Sequence, residues 1–295
     1  MKNVITFGSS GFIGNNILKH LETKECNAMG FSSKTCNLLH RSDIQKAFSL
    51  VSGDISLVIC SSITPPEANS IESMFSNIKM IDNIVKEISA NRLEKIIFLS
   101  SMNVYGRLKI DKKINESFEL KPTEYYGLSK LVCEHILSSA ALEIPVTILR
   151  LPGIYGHGDN YESIVGRFIR DAVLKKEINI INDGNELRDY VDIYDLTEII
   201  WHFIHNSYNG PVNIATGQSN TIHEIAKKVI QRLNNNSIIK ANKAPTLSSD
   251  LVFDNNLIKS LLPSSFDFTN VFDGIDNYIE KLTKVDNEMI NLNCL

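Results

Sequence analysis

The sequence predicts an α/β fold built on a doubly wound parallel sheet. Over the first 150 residues, short apolar segments alternate with helical patterns; these segments begin at Val4, Asn27, Leu57, Lys95 and Val146. Apolar runs without alternating polarity are typical of strands that helices cover on both faces. Strands that alternate with helices form βαβ units, which place the strands parallel in one sheet.

Helical periodicity and capping residues predict the remaining elements. The clearest pattern begins at Ile71, where apolar residues recur at helical spacing as far as Ile88. Ser42 is the expected N-cap of a short helix that follows the second strand. The predicted helices cover residues 12–21, 42–48, 71–88, 125–141, 162–175, 196–205 and 221–233. After Arg150 only short apolar pieces remain, at 178–181 and 212–214, and 234–250 is predicted to be a polar surface connection.

Composition narrows the class of protein. The 295 residues are 43% hydrophobic and carry a net charge of −4, with no block of lysine or arginine. This composition argues against a disordered chain. It also argues against nucleic acid or an anionic membrane as the main partner. No apolar run approaches the ~18 residues that a membrane span needs. The cysteines are scattered without metal-binding spacing, at Cys26, Cys36, Cys60, Cys133 and Cys294. We expect a reduced, cytoplasmic protein that has no structural metal.

A glycine-rich turn connects the first strand to the first helix. Its sequence is Gly8-Ser-Ser-Gly11-Phe-Ile-Gly14. Glycines in this position allow a tight turn and let the backbone approach a pyrophosphate, which the N–H groups of the helix N-terminus would bind. The context predicts a dinucleotide site, although an ordinary strand-to-helix turn would have a similar sequence.

The end of the second predicted strand bears on cofactor choice. An acidic residue there would bind the ribose 2′-hydroxyl of NAD, whereas a cation would accept the 2′-phosphate of NADP. Here Ser32, Ser33 and Lys34 follow Phe31, and no carboxylate is present. NADP(H) is therefore favoured and NAD(H) remains open. The alternative is that these residues are only a solvated turn.

Tyr126 and Lys130 are four residues apart on one face of a predicted helix. A nearby ammonium group favours the phenolate, so we expect Lys130 to lower the pKa of Tyr126. Tyr126 could then exchange a proton with an alcohol or keto oxygen while hydride moves at the adjacent carbon, and Lys130 could hold ribose hydroxyls. Tyr125 is the other candidate for this role, but it does not have the four-residue spacing to Lys130. The alternative is a surface Tyr/Lys pair.

Two serines, Ser100 and Ser101, lie at the carboxyl end of the fourth predicted strand. Ligands of open α/β sheets bind at this edge, where a hydroxyl group could hydrogen-bond a reacting oxygen. For a single serine at a strand end, capping of a turn or helix is the more ordinary role.

With these features in order, the chain resembles the extended short-chain dehydrogenase/reductases and, more narrowly, the NAD(P)-dependent sugar-nucleotide epimerase/dehydratase family. Further segments resemble family motifs: Ser76–Ile78, Asn115–Pro122, Leu149–Gly156, Asp183–Asp195 and Asn213–Gly217. The resemblance implies a modified Rossmann domain, 1–150 plus about 189–206. It also implies a smaller interleaved C-terminal substrate domain, 151–188 and 207–295.

The resemblance also implies roles for individual residues. The implied catalytic residues are Ser101, Tyr126 and Lys130. The implied cofactor-binding residues are Gly8, Ser10, Gly11, Phe12, Ile13, Gly14, Ser32, Ser33, Lys34, Ser61, Asn77, Ser100, Tyr126 and Lys130. The implied substrate-binding residues are Ser101, Met102, Asn103, Gly153 and Arg188, with Arg188 on the diphosphate of a nucleotide sugar. Family members often form homodimers through the helices predicted at 71–89 and 126–141.

One departure from the family bears on the reaction. Family 4,6-dehydratases carry Asp-Glu immediately after the active hydroxyl residue, where this chain has Met102 and Asn103. Dehydration is therefore not expected. The first hypothesis is NADPH-dependent reduction of a nucleotide-linked 4-keto-6-deoxy sugar. The alternatives are an NAD-dependent 4-epimerase and a non-catalytic regulator that senses NAD(P).

Overall fold

The computed structural model describes residues 1–64, 69–88, 92–106, 112–141, 143–174, 177–243 and 249–286. The strands are β1 Lys2–Phe7, β2 Cys26–Phe31, β3 Ile55–Ile59, β4 Leu93–Ser101, β5 Val146–Leu151, β6 Gly153–Tyr155, β7 Ile178–Ile181, β8 Leu187–Arg188, β9 Tyr190–Asp192, β10 Gly210–Asn213, β11 Asn220–Thr221 and β12 Ile239–Asn242. The helices are α1 Phe12–Glu22, α2 Arg41–Ser49, α3 Ile71–Ile88, α4 Tyr125–Ala140, α5 Ile164–Val173, α6 Ile193–His205, α7 Ile222–Leu233, α8 Asn256–Leu261 and α9 Val271–Asp286. A 3₁₀ turn covers Met102–Tyr105.

The predicted α/β class is confirmed. In the described residues, six strands form one parallel sheet in the order β2-β1-β3-β4-β5-β10. The direction of winding changes at β1, because β2 lies on one side of it and β3 on the other. In doubly wound sheets, ligands bind outside the carboxyl ends of the strands at such a switch point.

Helices bury both faces of the sheet, because alternate strand residues point to opposite sides. On one face, Ile5 and Phe7 pack with apolar residues of α2, α3 and α4. On the other face, Val4 packs with apolar residues of α1, α6 and α8. The strands are therefore apolar throughout, and no period-two pattern is visible in the sequence.

Helix starts differ from the prediction where a cap lies further upstream. α2 begins at Arg41, so its N-cap is His40 and not Ser42, and no side chain caps it. α6 begins three residues before the predicted 196, because the side chain of Asp192 accepts a hydrogen bond from the backbone N–H of Tyr194. Caps of this kind satisfy the free N–H groups of the first turn.

A third apolar cluster joins α5, α7 and α9 with β7. The predicted surface connection 234–250 contains a strand, β12, which pairs with β7 in parallel. The predicted substrate segment 207–295 contains another, β10, which is the edge strand of the central sheet beside β5. The apolar piece predicted at 212–214 overlaps β10, but local periodicity revealed neither β12 nor the non-local pairing of the two strands. No helix of the described residues is long and apolar enough to cross a membrane.

Candidate active site

The glycine-rich turn is built as a cradle between β1 and α1. The backbone N–H groups of Gly8 and Ser9 donate to the carbonyl of Phe31, at 2.8 and 3.0 Å. A Cβ atom at Gly8 would lie 2.7 Å from the backbone nitrogen of Ser61, so the close approach of these two turns requires glycine. No side chain caps α1, and its first turn carries no acidic residue. An anion fits such a helix start.

A cavity of about 310 Å³ lies at the switch point between the ends of β1 and β3. It is lined by Gly8, Ser10, Gly11, Ser33, Cys36, Asn37, Leu38, Cys60, Ser61, Ser62, Ile63 and Met80. The predicted cofactor residues Gly8, Ser10, Gly11, Ser33 and Ser61 are therefore brought together here. Sequence reasoning missed the stretch from Cys36 to Leu38, because its segment is irregular and has no motif.

Other predicted cofactor residues lie behind or beside this cavity. Phe12 and Ile13 begin α1 and pack partly buried against the core, and Gly14 is buried in the same turn. Asn77 is buried on α3, where its side chain accepts from the N–H of Ile63 at 2.8 Å and donates to the carbonyl of Ile63 at 3.0 Å. Asn77 therefore fixes the backbone of a residue that lines the cavity.

Ser100 does not present its hydroxyl to this cavity. The hydroxyl donates instead to the buried carboxylate of Glu134 on α4. Alternate residues of β4 face opposite sides of the sheet, so Ser100 and Ser101 point in different directions. The Ser100 hydroxyl is thus engaged with Glu134, and the assignment of Ser100 to cofactor binding stays a prediction.

The turn after β2 is organised by its own side chains. The backbone N–H of Ser32 donates to the hydroxyl of Thr35 at 2.9 Å, and the N–H of Lys34 donates to the hydroxyl of Ser32 at 3.3 Å. Ser33 and Lys34 are exposed. The Lys34 side chain forms no ion pair within the described part of the chain, so its charge is uncompensated beside the cavity.

The hydroxyl groups of Ser101 and Ser62 lie near the phenol of Tyr126 and act to lower its pKa. Ser101 ends β4, Ser62 follows β3, and Tyr126 lies in the first turn of α4. The hydroxyl of Ser101 also accepts from the N–H of Asn103 at 3.2 Å, so it caps the 3₁₀ turn as well. Tyr125 is 40% exposed and does not share this position. Sequence reasoning assigned no role to the Ser62 hydroxyl, although its place beside Ser61 was the available signal.

Burial shifts the pKa values of Tyr126 and Lys130 in opposite directions. Burial raises the pKa of Tyr126 to about 12, although its hydrogen bonds to Ser62 and Ser101 act in the opposite direction. Burial lowers the pKa of Lys130 to about 8. The expectation that Lys130 lowers the pKa of Tyr126 is wrong for this structure, because desolvation of the phenolate dominates.

The ammonium group of Lys130 is held by two neighbours. It donates to the carbonyl of Leu99 at 2.7 Å and lies 4.8 Å from the ring centre of Phe98. It lies 5.8 Å from the ring centre of Tyr126. At neutral pH the phenol is therefore protonated and the ammonium group is charged, which is the state needed to donate a proton from Tyr126.

A second cavity, of about 280 Å³, begins at Ser101. Its lining includes all five predicted substrate residues, Ser101, Met102, Asn103, Gly153 and Arg188. The guanidinium group of Arg188 pairs with Glu186 at 2.7 Å and also donates to the carbonyl groups of Leu187 and Ser249. Arg188 is thus in the wall of the cavity, and a carboxylate partly neutralises it.

Asp189 and Tyr190 also line this cavity, and sequence reasoning did not assign them. A Cβ atom at Gly153 would lie 2.8 Å from the ring of Tyr190, so the glycine makes room for that ring. Asp189 accepts hydrogen bonds from the backbone and hydroxyl of Thr216 and from the N–H of Gly217. Burial raises the pKa of Asp189 to about 6.

A buried ion pair connects α4 to the central sheet beneath the site. Arg150 on β5 contacts Glu134 on α4 at 2.8 Å, and both are almost fully buried. Arg150 also donates to the hydroxyl of Tyr105, which donates in turn to Asn213 on β10, each at 2.8 Å. The network fixes the helix that carries Tyr126 against the strand ends.

The sequence model of the NAD-dependent epimerase/dehydratase family matches residues 4–215, which is most of the chain. This chain belongs to the NAD-dependent epimerase/dehydratase family. It is an NAD(P)-dependent enzyme that modifies nucleotide sugars.

Individual members of the family are similar over most of this chain. GDP-6-deoxy-D-talose 4-dehydrogenase of Aggregatibacter actinomycetemcomitans is 24% identical over 279 residues, covering 92% of this chain and 94% of that protein. dTDP-4-dehydro-6-deoxyglucose reductase of Escherichia coli is 29% identical over 180 residues, covering 59% of this chain and 55% of that protein.

Solved structures of the family share the fold. UDP-glucose 4-epimerase of Thermotoga maritima, solved with UDP-glucose, superposes with a TM-score of 0.85 at 19% identity, covering 96% of this chain and 99% of that chain. dTDP-4-dehydrorhamnose reductase of Bacillus anthracis, solved with NADP, superposes with a TM-score of 0.81 at 18% identity, covering 95% of this chain and 99% of that chain. At this identity the likeness concerns the fold alone.

Proposed function

We propose that this family member reduces a nucleotide-linked 4-keto-6-deoxy sugar with NADPH. The observation that carries the proposal is that Ser101, which lies beside the phenol of Tyr126, lines a cavity together with Met102 and Asn103. Burial keeps the Tyr126 phenol protonated, with a pKa of about 12. A protonated phenol at a hydrogen-bonding serine is suited to protonate an alkoxide.

The residues after Ser101 argue against water elimination. Elimination needs one group that takes a proton from carbon and another that protonates the leaving hydroxyl. Met102 carries a thioether and Asn103 a neutral amide, and neither titrates near neutral pH. Two relatives, GDP-6-deoxy-D-talose 4-dehydrogenase and dTDP-4-dehydro-6-deoxyglucose reductase, are named for reactions at the 4-position of a 6-deoxy sugar, and this supports a 4-keto-6-deoxy substrate.

In the proposed reaction, Ser101 hydrogen-bonds the keto oxygen and Tyr126 donates its phenolic proton to that oxygen. The nicotinamide, when bound, supplies the hydride. Lys130 holds the ribose of the cofactor and remains charged at neutral pH. The turn from Gly8 to Gly14 holds the pyrophosphate, and Ser33 and Lys34 bind the 2′-phosphate, which favours NADPH over NADH.

A second candidate function is 4-epimerisation. dTDP-L-rhamnose 4-epimerase of Burkholderia thailandensis is 43% identical over 88 residues, covering 28% of this chain and 24% of that protein. An epimerase would use the same serine, tyrosine and lysine, but it would retain its cofactor through each cycle. The absence of a carboxylate in the turn after β2 favours the reductase.

The two functions differ in their use of cofactor. The enzyme is incubated with NADPH or NADH and a panel of nucleotide-linked 4-keto-6-deoxy sugars, while absorbance and product are followed. One NADPH oxidised for each alcohol formed supports the reductase. Conversion of a nucleotide hexose to its 4-epimer without added cofactor would overturn it in favour of the epimerase.

Tyr126→Phe separates an enzyme from a cofactor-sensing regulator. Loss of the acid should lower turnover by about 10²–10⁴-fold, while NADPH binding, measured by fluorescence titration, persists. Tyr125→Phe is the matched control and should retain turnover. Equal turnover in the Tyr126→Phe variant would contradict the assigned role.

We also propose a homodimer formed through α3 and α4. Ile71 and Phe75 lie one turn apart on α3 and are 47% and 60% exposed. Tyr125 and Leu128 lie on the neighbouring α4 and are 40% and 39% exposed. Apolar side chains exposed together on two packed helices are typical of a protein interface.

A further inference from the structure

The cavity that begins at Ser101 continues into a longer groove. It shares Asn103, Arg188 and Leu251 with a neighbouring cavity of about 240 Å³. That cavity shares Ile164, Glu186 and Ile222 with a third, of about 320 Å³. The groove thus runs from the reacting hydroxyl groups past Arg188 to the face of α5. A nucleotide sugar laid along it, with its sugar at Ser101 and its diphosphate at Arg188, would place its base in the third cavity.

The third cavity has the apolar walls that a planar base requires. Phe168 and Ile180 are buried there, and Ile164, Ile181 and Ile222 complete the apolar lining. Apolar walls with a few placed polar groups are typical of ligand pockets, in which the polar groups give specificity.

The polar residues that line this cavity are Arg167, Asp171, Asn179 and Glu186, and the first two have opposite charge and lie together. Arg167 and Asp171 lie four residues apart on α5 and therefore on the same face of the helix. Arg167 is exposed, and its side chain makes no hydrogen bond or ion pair within the described residues. Asp171 accepts both contacts from Arg170 on a single oxygen, Oδ1, at 3.1 and 3.0 Å. Its Oδ2 atom is therefore left for another donor.

We propose that this cavity binds guanine, so that the sugar is carried on GDP; the inference rests on the proposed function of the groove. Guanine presents two acceptors, O6 and N7, which match the fork of an arginine. Beside them it presents two donors, N1–H and the 2-amino group, which match a carboxylate. The ~5–6 Å between side chains at positions i and i+4 suits two adjacent edges of one base.

Uracil and thymine fit this pair poorly. Their exposed edge has one N–H group between two carbonyl oxygens. A carboxylate that accepts from this N–H group would lie against those oxygens, which are also acceptors and would repel it. Adenine and cytosine each offer an amino group to Asp171 and an acceptor to Arg167, but only guanine offers two donors and two acceptors together.

Equilibrium binding of free nucleoside diphosphates tests the inference without relying on catalysis. GDP, UDP, dTDP, ADP and CDP are titrated by calorimetry into the full-length protein in saturating NADP⁺, so that the proposed cofactor site is already filled and ADP cannot bind there. We expect GDP to bind at least about tenfold more tightly than UDP and dTDP, in line with one good bidentate contact. We also expect GDP to bind more tightly than ADP and CDP.

Asp171→Asn should reduce GDP affinity about tenfold and leave UDP affinity unchanged or higher, because an amide can also donate to a carbonyl. Glu162→Gln, just before α5 and outside the cavity lining, is the matched control and should leave the affinities for GDP and UDP unchanged. Thermal unfolding of each variant confirms that it is folded.

The outcomes separate the two proposals. Equal binding of all five diphosphates, a preference for another base, or an unchanged GDP affinity in Asp171→Asn would overturn the guanine inference and leave the reductase proposal standing. If none of the diphosphates binds at millimolar concentration, the groove is not a nucleotide site and the proposed function fails with it.

Discussion

At the scale of single residues, burial decides the chemistry of the Tyr126–Lys130 pair. Each group is pushed towards its neutral form, so the pKa of the phenol rises to about 12 and the pKa of the ammonium group falls to about 8. Near pH 7 the phenol still has its proton and Lys130 still has its charge. This combination favours reduction, in which Tyr126 acts as an acid.

The lowered pKa of Lys130 predicts a pH-dependent cofactor affinity. Lys130 is cationic below about pH 8 and loses its charge as the pH rises through that value. Raising the pH from 7 to 9 should weaken NADPH binding roughly threefold to tenfold, since charge-assisted hydrogen bonds to ribose become ordinary ones. Fluorescence titration measures this, and Lys130→Met should bind weakly without the same pH dependence. A pH-independent affinity of the native enzyme would contradict the assignment.

Lys34 is predicted to set the preference between the two nicotinamide cofactors. Its uncompensated charge lies beside the cavity, where a 2′-phosphate would approach. Lys34→Glu should weaken NADPH binding about tenfold or more, by loss of attraction and added repulsion, and should change NADH binding little. Lys46→Glu, an exposed lysine on α2, is the control. An equal loss for both cofactors would exclude a role in phosphate recognition.

At the scale of elements, α4 depends on the buried pair between Glu134 and Arg150. The helix supplies Tyr126 and Lys130, while β5 supplies Arg150, and the ion pair keeps them in register. The sequence predicted both elements, but it did not reveal their connection. A buried ion pair leaves no periodic signal, since a glutamate in a helix and an arginine at a strand end are common on exposed surfaces.

Breaking this pair should destabilise the protein strongly. Glu134→Gln leaves the guanidinium group of Arg150 buried without its counter-charge, which costs about 3–5 kcal/mol of unfolding free energy. Urea denaturation measures the change. The exposed Glu143→Gln, just after the same helix, should stay within about 0.5 kcal/mol of the native protein. A similar effect of both substitutions would show that the buried pair contributes little.

At the scale of the whole molecule, the exposed apolar residues of α3 and α4 predict the oligomeric state. Phe75→Lys should convert the proposed dimer to a monomer, because a charged side chain would be buried in an apolar interface. Size-exclusion chromatography with light scattering measures the mass. Leu50→Lys, which replaces a residue 63% exposed elsewhere on the surface, should leave the dimer intact. A native protein that is monomeric would refute the proposal directly.

The sequence by itself determined the α/β class, the principal strands and helices, and a candidate site that includes Ser101, Tyr126 and Lys130. These features depend on local patterns: apolar runs, helical spacing and glycines in a turn. Only the tertiary structure decided that β10 joins the central sheet, that Ser62 contacts Tyr126, and that Arg167 and Asp171 share a groove with Ser101. Each of these depends on contacts between distant segments. The pKa of Tyr126 was likewise decided only by the tertiary structure, because desolvation of the phenol depends on all the residues that surround it.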